Sequence, residues 1–94
     1  MKVTKIGDHI SVTQGKYDTV FVTRPSLISN KFHTVSFGGV RYEDVVQYLE
    51  ERYHRKPGLM VDEMFPQLND AEREFLMTGI TEEEWNTHMK EDEE

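Results

Sequence analysis

The stretch that constrains this chain most is MFPQLNDAEREFLMTGITEEEW, Met64 to Trp85. Asn69 is a good helix N-cap, and Glu72 three residues later can reach back to the cap's own N–H, completing a capping box. Ala71, Phe75 and Leu76 form an apolar stripe at helical spacing. Gly79 stands where a left-handed residue ends a helix, and a Schellman motif there would fold Ile80 onto Phe75. Thr81 caps a second helix at once, with Glu84 in the position of a second capping box and Glu82 and Glu83 at the positive end of the helix dipole. Ile80 and Trp85 have the spacing of a hydrophobic staple. These signals predict a helix–turn–helix corner with Phe65, Phe75, Ile80 and Trp85 in one apolar cluster. The corner itself contains no reactive chemistry.

Upstream of the corner the periodicity changes from helical to alternating. Lys2 to Ile6, His9 to Thr13, Tyr17 to Thr23 and Phe32 to Phe37 read as strand segments, with a hairpin closed near Gly15-Lys16 that pairs Ile10 and Val12 with Val20 and Val22. His33, Val35 and Phe37 share one strand face. Arg24-Pro25-Ser26 ends a strand, because proline cannot donate to a ladder. Tyr42 to Arg55 follows as a helix with Tyr42, Val45, Val46, Leu49 and Tyr53 on its apolar stripe, stopped by Lys56-Pro57-Gly58. A short helical turn spans Val61 to Phe65. Strands first and helices after predict one α+β domain over residues 1–94. Its small antiparallel sheet, of about three strands, is followed by three helices packed on one face. Residues 90–94 read as a frayed acidic tail.

Charge divides the chain unevenly. Residues 1–60 carry nine Lys/Arg and six Asp/Glu, a net of +3, whereas residues 61–94 carry two and twelve, a net of −10. That polarity argues against a direct nucleic-acid binder and favours an acidic surface presented to a basic partner. The 94 residues include no cysteine, so disulfides and thiolate metal sites are excluded. No apolar run approaches the roughly 20 residues of a membrane span, and the N-terminus lacks a secretory h-region. The expected location is the cytoplasm, with no membrane association.

Candidate chemistry is sparse. His9, His33, His54 and His88 share no ligand spacing; Glu84 and His88 lie one helical turn apart, but two ligands do not make a metal site. Gly38-Gly39 matches no phosphate-binding pattern, and Glu43-Asp44 would repel a phosphate there. Arg52, His54, Arg55 and Lys56 form a basic patch where cations also stabilise a helix C-terminus. No catalytic residue, cofactor or metal is predicted. The residues expected to bind a partner are Glu82, Glu83, Trp85, Glu91, Asp92, Glu93 and Glu94.

The segment from about residue 58 to 86, through Phe65-Pro66, Leu68, Glu72 to Leu76, Gly79-Ile80 and Glu84-Trp85, resembles a segment of small uncharacterised proteins of tailed bacteriophages. The resemblance implies a phage-encoded protein expressed in a bacterial cytoplasm, and carries no function over. The leading expectation is a non-enzymatic interaction protein that binds and modulates a host or phage protein, including a basic nucleic-acid-binding one. The alternative is a virion or assembly component that forms homo-oligomers through the helical corner.

Overall fold

The computed structural model describes residues 2–92, with side chains through residue 87. Four strands come first: β1 (Val3–Ile6), β2 (Ile10–Gln14), β3 (Thr19–Pro25) and β4 (Phe32–Gly38). Four helices follow: α1 (Tyr42–Tyr53), a short α2 (Val61–Met64), α3 (Asp70–Thr78) and α4 (Glu82–Asp92). The strands form one antiparallel meander in the order β1-β2-β3-β4. The architecture is α+β as the sequence predicts, with four strands rather than about three.

Register explains how the sheet is two-faced. Thr4, Val12, Val22 and Val35 stand in one row across the strands, and Gln14, Val20 and Phe37 in the next. Val12, Val20, Val22 and Phe37 are fully buried. The opposite face carries Lys5, Ser11, Thr13, Phe21, Thr23, Thr34 and Ser36 and is the more open one, with Thr23 and Thr34 joined across strands by a 2.7 Å hydroxyl bond. Only one face is therefore apolar enough to be covered, and the helices supply the cover.

The β2–β3 hairpin confirms the predicted pairing of Val12 with Val22 but not that of Ile10, whose partner is Ile6 of β1; Val20 lies opposite Gln14. The turn also lies later than Gly15-Lys16: Thr19 N–H donates to Lys16 O, so Tyr17 and Asp18 form its tip. Tyr17 adopts φ 58° there and is almost wholly exposed.

On α1 the buried tyrosines are Tyr42, as predicted, and Tyr48, which the stripe does not include; Tyr53 is not buried. Tyr48 is 1% exposed and meets Phe65 edge-on at 5.8 Å, while Tyr53 is half-exposed and lies over Gly7 in the β1–β2 turn. The helix also ends before Arg55, which takes a left-handed φ of 56°. Lys56 N–H donates to Glu51 O and Arg55 N–H to Arg52 O, which makes this helix end the Schellman motif. Phe37 and Phe75 pack at 6.1 Å across the sheet–helix interface, so α3 is anchored on β4. Among the described residues no helix is long and apolar enough to cross a membrane.

Candidate functional site

The predicted capping box opens α3 as expected: Asn69 Oδ1 accepts from Glu72 N–H at 2.8 Å and Glu72 Oε1 accepts from Asn69 N–H at 2.9 Å. Gly79 is left-handed at φ 77° and its N–H donates to Phe75 O. This is the simpler left-handed cap and not a Schellman motif, because the Ile80 N–H is taken by Thr78 Oγ1 at 3.2 Å. Gly79 is required for a second reason. A Cβ there would collide with the carbonyl of Pro25, so the chain passes this point against β3 only without a side chain.

Three polar contacts tie the corner to the end of β3 and the loop after it. Arg24 Nη1 donates to Leu76 O at 2.6 Å, the Leu27 N–H donates to Thr78 O at 3.0 Å, and Ser29 Oγ donates to Glu84 Oε2. Arg24 projects from the covered face of the sheet onto the negative end of α3, where a guanidinium is favoured. Burial lowers its pKa, and Tyr48 acts in the opposite sense.

Glu84 is where the structure departs most from the sequence reading. The Thr81 side chain caps α4 as predicted, accepting from Glu84 N–H at 3.1 Å. The Glu84 carboxylate does not reach back to complete a box. It turns toward the sheet, where Ser29 bonds it and His33 Nε2 lies 3.1 Å from Oε2. Burial pushes the Glu84 carboxyl up, but hydrogen bonding from Ser29, Ser26 and His33, with the His33 charge, outweighs it and holds the pKa down at about 2. An open groove of about 740 Å³ surrounds this cluster, with Ile28, Lys31, Glu83 and Thr87 on its walls.

The cluster has the residue types of a hydrolytic site but not the geometry. Ser29 and His33 both address Oε2 of Glu84, so the imidazole does not take the serine proton as a general base must. A carboxyl with a pKa of about 2 is also a weak proton acceptor near neutrality. What the arrangement does is fasten α4 to β4.

The predicted partner-binding residues fall on two sides of α4. Glu83 borders the groove, whereas Glu82 and Trp85 border a smaller depression of about 250 Å³ between α3 and α4. Ala71 and Ile80 line that depression with the carboxylate-bearing Asp70 and Glu74. Trp85 is 43% exposed and stands outside the core, so the expected single cluster of Phe65, Phe75, Ile80 and Trp85 does not form. Phe65 and Phe75 belong to the main core, while Ile80 is buried apart from it. The corner beside Ala71 and Ile80 does not enclose the indole. Glu91 and Asp92 lie within α4, which runs on through the expected frayed tail as far as Asp92, and their side chains, like Glu93 and Glu94 altogether, fall outside the described residues.

Sequence reasoning missed Asp70 and Glu74 as neighbours of Trp85, and Ser26, Ser29 and His33 as neighbours of Glu84. One signal for the latter was present. Arg24 and His33 are paired in register on a mainly apolar sheet face, and such a polar row needs partners from whatever covers it. Compared with protein-family models, curated proteins and solved structures, the chain matches none.

Proposed function

We propose that this chain is a small non-enzymatic interaction protein that binds a basic surface of a host or phage protein in the bacterial cytoplasm. The observation that carries this reading is the exposure of Trp85 beside the carboxylate-bearing residues Asp70, Glu74 and Glu82 at the α3–α4 corner. Tryptophan is over-represented among the residues that carry most of the energy of binding interfaces. Neighbouring carboxylates favour a cationic partner side chain, which the indole face also attracts. The net charge of −10 over residues 61–94 adds a long-range attraction for the same class of partner.

The test is affinity capture from bacterial lysate with wild type, Trp85→Ala and Glu82→Gln/Glu83→Gln, each at low and high salt. A specific protein retained by wild type, weakened by each substitution and released as the Debye length shrinks from about 10 Å at 0.1 M toward about 3 Å at 1 M, supports the reading. Capture indifferent to salt and to all three substitutions refutes it.

A further inference from the structure

The depression between α3 and α4 narrows what a partner can place there. Asp70 and Glu74 stand one turn apart on α3, and Glu82 and Trp85 three residues apart on α4, so each helix turns one face into it. Carboxylate-bearing residues therefore line it from both helices, with Ala71 and Ile80 between them. Its volume of about 250 Å³ is below the ~300–1,000 Å³ of pockets that enclose a drug-sized molecule. The space suits one long side chain.

Charge fixes the sign of that side chain. Among the described residues no Lys, Arg or His lines the depression. Arg73 on α3 is committed elsewhere, its Nε donating to Phe65 O and its Nη2 to Pro66 O. Its Nη1 lies 3.6 Å from Asp70 Oδ1, but that carboxylate is wholly exposed and the pair is weak. Glu74 accepts from Thr78 Oγ1 through one oxygen only. Further along, α4 sets Lys90 against Glu91 and Asp92 by sequence, so the balance stays negative.

Building on the reading of this corner as the binding surface, we propose that the depression receives a single arginine side chain of the basic partner, its guanidinium over the Trp85 indole and forked to Glu74 and Glu82. The apolar stem would run along Ala71 and Ile80, as long cationic side chains cover apolar surface while their heads stay polar. A guanidinium is planar, weakly hydrated and carries five donors in a fixed fork, so it stacks on a ring and bonds carboxylates on two walls at once. A lysine ammonium is a compact, strongly hydrated point charge and matches this arrangement less well.

Trp85 is the chain's one tryptophan, so its emission reports the depression directly. The experiment titrates the full chain at low salt with N-acetylated, amidated Gly-Ser-Arg-Ser-Gly, and with the same peptide bearing lysine or neutral citrulline in place of arginine. The arginine peptide should saturate the change in emission in roughly the millimolar range, at least about threefold more tightly than the lysine peptide, with citrulline weaker than both. Glu74→Gln/Glu82→Gln should weaken the arginine peptide by about five- to tenfold. Glu43→Gln/Glu50→Gln on α1 removes the same charge outside the depression and should change affinity by less than about twofold. The peptide comparison needs no variant and decides alone if the glutamine pair unfolds the chain. Equal affinity for the arginine and lysine peptides overturns the inference and leaves the broader reading of a cationic partner standing. A citrulline peptide that matches arginine, or binding indifferent to Glu74→Gln/Glu82→Gln, also overturns it. So does a response to none of the peptides, and the lysate capture then decides the broader reading on its own.

Discussion

Replacing Gly79 by alanine asks two things of the chain at once. At φ 77° an L-residue meets its own carbonyl, a cost of about 1–2 kcal/mol. The new methyl also meets the Pro25 carbonyl, which is backbone and cannot rotate away, so β3 or the corner must shift. Overpacking of that kind costs a further ~1–3 kcal/mol. Together they predict a loss of about 2–5 kcal/mol against the 5–15 kcal/mol usual for a domain. At about 4–8 °C per kcal/mol for a chain of this size, the midpoint should fall by at least ~8 °C. Thermal unfolding followed by circular dichroism measures it. Arg55 provides the opposite sign: it holds φ 56° with a side chain, so Arg55→Gly should stabilise by several tenths of a kcal/mol. A Gly79→Ala variant melting within about 3 °C of wild type would refute the close approach to Pro25 as the reason for the glycine.

Glu84 gives an acid-limb prediction. Its folded pKa lies at about 2 against an ordinary 4.5, so its contribution is complete above the ordinary carboxylate range and is lost as pH falls through the folded value. The window runs from about pH 5 to pH 2, and after allowance for solvent the contribution is on the order of 1–2 kcal/mol. Glu84→Gln should flatten that limb of stability against pH, and an unchanged limb would remove Glu84 from the fastening of α4. Trp85→Ala should cost no more than about 1 kcal/mol, because the indole stands outside the core, whereas Phe75→Ala should cost about 3–5 kcal/mol. A Trp85 variant as damaged as the Phe75 variant, measured by urea unfolding, would place the tryptophan in the core.

What was legible in the sequence was what neighbours along the chain decide. The Asn69–Glu72 box, the Thr81 cap and the left-handed Gly79 each involve groups within five residues, and all stand in the structure. The segregation of strands from helices was legible for the same reason, since alternation and 3.6-residue spacing are local patterns. The fate of Glu84 was not. Local rules send its carboxylate to the cap N–H, but the residues that captured it, Ser29 and His33, stand more than fifty positions upstream. A carboxylate offered one backbone donor locally, and a serine hydroxyl with an imidazole beside it from afar, has gone to the latter. Tyr48 was overlooked in favour of Tyr53 because the stripe is wide enough to admit either, and the choice depends on Phe65, which meets only Tyr48. Trp85 was assigned to the core from its spacing with Ile80, though spacing brings side chains near one another without supplying surface to bury them.

The fastening of the corner has a consequence for where this chain tolerates change. Three of the polar contacts that hold α3 and α4 to the sheet come from the short segment Arg24–Ser29, at the end of β3 and in the loop that follows. Surface loops normally accept inserted residues with little penalty. This one is a mounting bracket, in which a single added residue would carry Leu27 away from Thr78 or Ser29 away from Glu84. Among the described residues the Tyr17-Asp18 tip of the β2–β3 hairpin holds nothing but its own turn, and it is there that an epitope or a fluorophore can be grafted without unseating a helix.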